Sequence, residues 1–123
     1  MILGLRTAIY PVAPEQLEAS RNWYAQVLGL APYFDEPFYV GFAVGGFELG
    51  LLPGATPSTG GAQPLWGVAE IDAAYARLIE LGASALEPPK NVGDGIRVGA
   101  VRDPFGNRLG LIQNPHFDPQ AVR

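Results

Sequence analysis

The residue with the clearest chemical potential is Glu48, an acid within the apolar segment 47–52. This segment alternates like a β-strand, which places Glu48, Gly50 and Leu52 on one face and the remaining residues on the other. A carboxylate in apolar surroundings has a raised pKa, so Glu48 could act as a general base or accept a hydrogen bond from a ligand. Alternatively, Glu48 lies at a wet edge and is solvated or paired with an arginine.

Three further polar residues could contact a ligand. Thr7 and Gln63 offer neutral hydrogen-bonding groups, although such residues often only satisfy nearby backbone groups. Arg97 could bind an anion and is expected to share a strand face with Gly99 and Val101, the alternative being simple surface solvation. The single histidine, His116, lies in the C-terminal tail, where a solvated or interface role is the ordinary expectation.

Glycines within strands indicate where a ligand or a neighbouring backbone comes close. Four of them are expected to face one concave surface, where they would leave room for a bulky or flat organic molecule or simply permit the sheet to curve: Gly50, Gly67, Gly99 and Gly110. The wall of such a pocket is predicted to consist of Tyr39, Leu52, Leu65, Val101 and Ile112.

The elements that position these residues form the same series twice. In the first half, a strand over residues 5–12 leads into a helix that ends at Gly29, a short edge strand, and a hairpin with Gly45 and Gly46 at its turn. The prediction is a first module over residues 5–52, followed by a Gly/Pro/Ser-rich linker over residues 53–63.

The second half repeats the pattern over residues 64–114. Asp72 is predicted to cap a helix that Gly82 ends, and Pro88 with Pro89 to end a short strand at residue 87. Two strands, 96–102 and 108–113, flank a tight turn at residues 103–107. Residues 115–123 form a tail, predicted to be an arm or a frayed end. The fold class is α+β, because each module is too small to bury both faces of its sheet and the two must pair, leaving a shared trough.

Composition restricts the function further. The chain has 123 residues, 48% of them hydrophobic and 16% charged, with a net charge of −4 and no cysteine. The absence of any basic run argues against nucleic acid and anionic membranes as partners. Disulfides and thiolate metal sites are excluded. No signal peptide or membrane span is predicted, so a cytoplasmic location is expected.

Three motifs in this order resemble the vicinal oxygen chelate superfamily, which includes glyoxalase I, bleomycin-resistance proteins and extradiol dioxygenases. They are the helix ending NWYAQVLGL at residues 22–30, the strand-to-helix passage VAEIDAAYARL at residues 68–78, and the hairpin DPFGN at residues 103–107. The resemblance covers residues 5–113. It implies two βαβββ modules that form a curved mixed sheet around a trough, with the helices on the outer face.

Metal-using members of that superfamily place one ligand on each of four strands. Carried onto this chain, these positions fall on Thr7, where histidine is usual; on Glu48, which matches; near Gln63, with a register uncertainty of one or two residues; and on Gly110, where glutamate is common. His116 matches none of them. The resemblance therefore implies a poor metal site, and no cofactor is expected, although a weakly held divalent metal stays an alternative.

Three functions remain open. The favoured one is a metal-independent binding protein for an apolar or flat organic ligand, resembling the drug-sequestering branch and expected to be a homodimer. The alternative is a lyase, isomerase or dioxygenase that uses a weakly held metal or Glu48 as its general base. The third is an interaction module whose trough is filled by side chains or the tail.

Overall fold

The computed structural model describes residues 1–54, 56–58, 61–102, 104–105 and 107–123. These residues form eight strands and two α-helices, which confirms the predicted α+β class. The strands are β1 Ile2–Val12, β2 Phe34–Glu36, β3 Tyr39–Val44, β4 Phe47–Pro53, β5 Gln63–Val68, β6 Ser84–Gly93, β7 Ile96–Arg102 and β8 Arg108–Gln113. The helices are α1 Leu17–Leu28 and α2 Ile71–Glu80. No described helix is long and apolar enough to cross a membrane.

The chain divides into two compact units. The first unit comprises residues 7–62 and 118–123, and its strands lie in the order β2-β3-β4-β1. The second unit comprises residues 1–6 and 63–117, with the order β1-β5-β8-β7-β6. Each unit contains a parallel pair, β1 with β4 in the first and β5 with β8 in the second, together with antiparallel hairpin strands, so strand directions are mixed in both units.

Helix α1 covers one face of the first unit's sheet. A single 3₁₀ turn, Pro14–Gln16, leads into it, and Gly29 ends it in the left-handed conformation at a φ of 70°. Its apolar side packs on four buried sheet residues: Val12, Val40, Phe42 and Leu51. Burial of this kind contributes about 1.5–3 kcal/mol for each large apolar side chain, so the helix fixes which sheet face is internal.

Helix α2 covers one face of the second unit's sheet, packing Ile71 and Ala74 on Val68 and Leu111. The prediction that Asp72 caps it is wrong, because the N-cap is Glu70 and Asp72 lies in the first turn. The Ile71 backbone N–H instead donates to Gln113 Oε1 of β8, at 2.9 Å. A side chain from the sheet thus satisfies the helix start and frees Asp72 for another partner.

Strand β6 is longer than predicted. It continues through Pro88 and Pro89 to Gly93 instead of ending at residue 87. Two features allow this: β6 is the last strand in its sheet order, and its pairing with β7 shifts register three times. Proline lacks a backbone donor, but on a bulged edge strand few ladder bonds depend on that donor. By contrast, β7 and β8 have the predicted bounds; Asp103 and Gly106 of the turn between them lie outside the described residues.

The tail is bound to the protein, contrary to the prediction of an arm or a frayed end. Arg123 donates its backbone N–H to the Gly45 carbonyl at 3.0 Å, in the first unit. In the second unit, His116 Nε2 lies 2.8 Å from the carbonyl oxygen of Asp94. Both contacts are to turns with positive φ, one at Gly45 and one at Asp94. Two hairpin turns therefore hold the tail, and His116 has a structural partner.

Candidate functional site

The register of the first unit gathers one set of predicted residues on a single face. Thr7 pairs with Glu48 and Pro11 with Leu52, while the alternate residues of these strands pack toward α1. Tyr39, two residues before Gly41, has the same orientation, since Gly41 pairs with Gly50 on β4. The structure thus brings Thr7, Tyr39, Glu48 and Leu52 together on the face away from α1.

Glu48 is the centre of a hydrogen-bonded cluster on that face. The Tyr39 hydroxyl donates to Glu48 Oε2 at 2.6 Å, and the Tyr33 hydroxyl donates to Glu48 Oε1. Burial raises the pKa of Glu48 to about 7 and that of Tyr39 to about 12. No cation of the described residues lies within salt-bridge distance of Glu48, so the alternative in which an arginine pairs with Glu48 does not hold for this part of the chain. The result is a carboxyl group that titrates near neutrality.

Two glycines make this cluster possible. A Cβ on Gly50 would overlap the Tyr39 hydroxyl, and a Cβ on Gly41 would lie 3.1 Å from Tyr33 Cε1 and 3.0 Å from Glu48 Oε1. The prediction that Gly50 leaves space for a ligand is therefore wrong, because the Tyr39 side chain fills that space. Glycine here permits close approach of the protein's own phenols.

Tyr33 was not among the predicted site residues. It lies just before β2, and its backbone N–H donates to the Gly41 carbonyl at 3.0 Å, which holds its ring over that glycine. Its side chain is largely exposed, at 64%. Tyr33 belongs to no periodic segment, so the sequence pattern does not identify it, and its contact with Glu48 follows from the pairing of β2 with β3. The only hint in the sequence is the glycine at position 41, which leaves room for a neighbouring side chain.

The second unit places five predicted residues on the face away from α2. Leu65 pairs with Gly110, and Gly67 with Ile112, while Trp66 and Leu111 pack toward the helix. Gln63 shares the orientation of Leu65 because it lies two residues earlier on β5. The position opposite Gly110 is therefore Leu65, two residues beyond Gln63.

Gly110 does not open a space. A Cβ there would lie 2.6 Å from Leu65 Cδ2 and 2.8 Å from the Pro64 carbonyl oxygen. The expectation that this glycine adds room for a ligand is wrong, since Leu65 occupies that volume. Leu65 and Ile112 are each only 6% exposed. This face is a packed apolar surface.

Two predicted residues of β7, Val101 and Arg97, face the helix instead of the pocket. Val101 pairs with Leu109, and Gly99 with Leu111, which is part of the core under α2. Arg97 donates two hydrogen bonds to Asp72 of α2, at 2.7 and 3.2 Å, and this contact lowers the pKa of Asp72. The placement of Gly99, Val101 and Arg97 in the pocket is therefore wrong. Residues 98–101 are all apolar or small, so the sequence pattern does not indicate which of them face the helix.

A surface cleft of about 270 Å³ lies elsewhere in the second unit, beside the start of α2. Its lining is mostly apolar and small and includes none of the predicted ligand-binding residues: Met1, Val68, Ala69, Glu70, Ala73, Ala74 and Arg77.

The residues at the expected metal positions do not fit a divalent ion. Thr7 and Glu48 are adjacent, but both carboxylate oxygens of Glu48 accept hydrogen bonds from tyrosines. The corresponding pair in the second unit, Leu65 and Gly110, has no side-chain donor. Zinc requires about four protein or water ligands and calcium six or more oxygens. Within the described residues, no three His, Cys, Asp or Glu side chains come together as a metal site.

Comparisons with known proteins agree with the architecture. No curated protein matches the chain significantly. A solved structure of a glyoxalase/bleomycin resistance protein/dioxygenase superfamily member from Vibrio splendidus has 20% identity and a TM-score of 0.67, over 89% of this chain and 99% of that one. An NAD-dependent benzaldehyde dehydrogenase structure from Legionella pneumophila has 20% identity and a TM-score of 0.66, over 87% and 96%.

An extradiol ring-cleaving dioxygenase from B. fuscum has 22% identity and a TM-score of 0.73; the match covers 98% of this chain but 35% of the dioxygenase. At these identities the structures show similarity of fold. The family model described as "Glyoxalase/Bleomycin resistance protein/Dioxygenase superfamily" matches residues 8–111. This chain therefore belongs to the glyoxalase/bleomycin resistance protein/dioxygenase superfamily.

Proposed function

We propose that this chain is a metal-independent protein that binds a small apolar or flat organic molecule through the Glu48 cluster. One observation carries the proposal: Glu48 is a half-buried carboxyl group with two phenol donors and no cation among the described residues. Structural glutamates at surfaces are ordinarily solvated or paired with a base. A half-buried carboxyl group that is held by phenols instead of a cation is suited to a polar group of a ligand.

The protonation state of Glu48 defines what it can recognise. With a pKa of about 7, the carboxyl group is close to half protonated at neutral pH. Its neutral form both donates and accepts a hydrogen bond, and its charged form only accepts. The Tyr39 ring and Leu52 add apolar surface on the same face. A hydroxyl- or carbonyl-bearing aromatic compound matches this combination, and it would compete with the exposed Tyr33 hydroxyl for Oε1.

The proposal also includes the assembly and location of the protein: it acts as a homodimer in the cytoplasm, with neither nucleic acid nor a membrane as partner. Exposed apolar side chains support a buried partner surface: Trp23 and Val27 lie one turn apart on α1 and are 57% and 58% exposed. Sedimentation velocity at micromolar concentration tests the dimer, which a monomer at all concentrations would contradict.

A binding experiment tests the proposal. Protein purified without chelator is analysed for bound metal and, by native mass spectrometry, for a retained ligand. It is then titrated with 2-naphthol, a neutral, flat fluorophore that carries a hydroxyl group. Glu48→Gln and Tyr39→Phe are each expected to weaken binding about 10-fold, equivalent to about 1.4 kcal/mol. The control is Glu80→Gln, an exposed acid paired with Arg77, which should bind as wild type. A stoichiometric metal, or equal binding by Glu48→Gln, would overturn the proposal.

The second candidate is a metal-free enzyme that uses Glu48 as a general base. The pKa of about 7 favours it, because a base is most effective when its pKa lies near the working pH. Such an enzyme would exchange the α-protons of a small aryl ketone with solvent deuterium, which NMR detects. Loss of exchange in Glu48→Gln, with affinity for the ketone within a few-fold of wild type, would identify catalysis; no exchange in the wild type would exclude this candidate for carbon acids.

A further inference from the structure

Arg6 is held in an unusual position in the second unit. Its guanidinium carbon lies 3.6 Å from the centroid of the Phe117 ring, which is a cation–π contact. On β5, a Cβ at Gly67 would lie 2.6 Å from Arg6 Nε and 2.8 Å from Cζ. The side chain thus lies across Gly67 and is stacked on Phe117. Glycine at position 67 is required for this placement, and the tail supplies the ring.

The charge of Arg6 has no acidic partner among the described residues. Four other arginines form ion pairs: Arg21 with Asp35, Arg77 with Glu80, Arg97 with Asp72, and Arg108 with Glu87. The one hydrogen bond that Arg6 donates within the described chain goes from Nη1 to the Leu5 carbonyl, at 3.0 Å. Partial burial also lowers the pKa of Arg6. In a chain with a net charge of −4, an uncompensated and oriented cation indicates a partner outside the described residues.

The surroundings of Arg6 are apolar. Gly67 pairs with Ile112, which is 6% exposed, and Leu65 lies two residues earlier on the same face of β5. Phe117 adds an aromatic surface. A stacked guanidinium keeps its edge N–H groups available, and these match the two oxygens of a carboxylate.

We propose that Arg6, stacked on Phe117 and lying over Gly67, binds the carboxylate of a small aromatic or otherwise apolar acid. The carboxylate accepts from the guanidinium edge, and the acid's apolar part lies against the Phe117 ring. This site is formed by residues of the second unit only and does not depend on Glu48. It adds an anionic ligand class to the neutral one proposed for the first unit.

The test compares benzoate with benzamide, its neutral isostere, and with inorganic phosphate, each titrated by NMR or calorimetry. In a Glu48→Gln background, which removes the neutral site proposed above, the protein is expected to bind benzoate at least 10-fold more tightly than either of the other two. Arg6→Gln should lose at least 10-fold in benzoate affinity, and Phe117→Leu about 3-fold, because the apolar contact remains but the aromatic face is lost. Arg6→Lys should recover only part of the affinity, since an ammonium group cannot form the planar bidentate contact.

Arg77→Gln is the matched control, because it removes an exposed arginine that is already paired with Glu80. Glu48→Gln should bind benzoate as wild type does, which separates this proposal from the function proposed above. Circular dichroism confirms that each variant is folded. Equal benzoate binding by Arg6→Gln and wild type, or benzamide binding as tight as benzoate in the Glu48→Gln background, would overturn the proposal. Phosphate binding as tight as benzoate would overturn the assignment to apolar acids.

Discussion

The two units have equivalent strand pairings but different side chains at the paired positions. In the first unit Thr7 pairs with Glu48 across parallel strands; in the second, Leu65 pairs with Gly110. The first pair is part of a hydrogen-bonded carboxyl cluster, whereas in the second a leucine side chain fills the volume over the glycine. A repeated backbone therefore holds a carboxyl group with a raised pKa in one unit and apolar packing in the other, and the side chains at one register position make the difference.

The glycines of the two units also differ in what lies over them. Over Gly50 lies the hydroxyl end of the Tyr39 side chain, which can rotate away. Over Gly110 lie Leu65 and the Pro64 carbonyl oxygen, and the backbone oxygen cannot move without disturbing β5. Substitution of glycine is therefore expected to be tolerated better at position 50 than at position 110.

The strongest test places the family's carboxylate in the second unit. Gly110→Glu is expected to destabilise the protein by about 3 kcal/mol or more, because its Cβ would clash with backbone and its charge would be buried without a partner. Urea unfolding measures the loss. Gly110→Ala should cost about 1–3 kcal/mol from the clash alone. A Gly110→Glu protein as stable as wild type would show that this face is open.

Gly50→Ala is expected to cost less, about 1–2 kcal/mol, by displacing the Tyr39 ring from Glu48. In a Tyr39→Ala background the same substitution should be nearly neutral, because its obstruction is gone. A double-mutant cycle by urea unfolding measures this coupling. Additive effects of the two substitutions would contradict the contact between Gly50 and Tyr39.

The pH dependence of stability tests the Glu48 environment. Its pKa rises from 4.5 in the unfolded chain to about 7 in the folded protein, so the folded state holds the proton more tightly. The contribution is fully present below about pH 4.5 and is lost as pH rises through 7. Since the carboxyl group is partly solvated, the loss should be on the order of 1–2 kcal/mol. Thermal unfolding between pH 5 and pH 8, a range chosen around these values, should show this decline in wild type relative to Glu48→Gln; parallel curves would contradict it.

The smallest expected effects distinguish the two tyrosines. Tyr39→Phe removes a donor to the Glu48 carboxylate and should raise its pKa further, because the charged form loses a hydrogen bond. Tyr33→Phe should act in the same direction but more weakly, since water can replace an exposed hydroxyl. Carbon-detected NMR titration of the Glu48 carboxyl group measures both shifts. A larger shift for Tyr33→Phe would reverse the assignment of Tyr39 as the main donor.

The sequence predicted the helices, the Gly45–Gly46 hairpin and the faces of β4, because strict alternation around Glu48 admits one orientation. The sequence did not predict which face each residue of β7 occupies. Residues 98–101 are small or apolar on both faces, so a shift of one residue leaves the hydrophobic pattern unchanged. The sequence also failed for β6, since prolines end a strand in isolation but not on a bulged edge.

Among the site residues, too, the sequence indicates some and not others. Glu48 was identifiable because an acid in an apolar strand is rare enough to indicate a role. Tyr33 and Arg6 were not, because their positions depend on contacts with glycines of other strands: Tyr33 lies over Gly41, and Arg6 lies over Gly67. A strand glycine indicates that something approaches closely, without indicating what.

The sequence by itself determined the α+β class, the repeated module and the acid at position 48, since these follow from periodicity and residue type. The tertiary structure decided what fills the space beside each glycine: the Tyr39 hydroxyl at Gly50, Leu65 at Gly110 and the Arg6 guanidinium at Gly67. The physical reason is that packing density leaves few voids, so a missing side chain is replaced by whichever neighbour the strand register brings close.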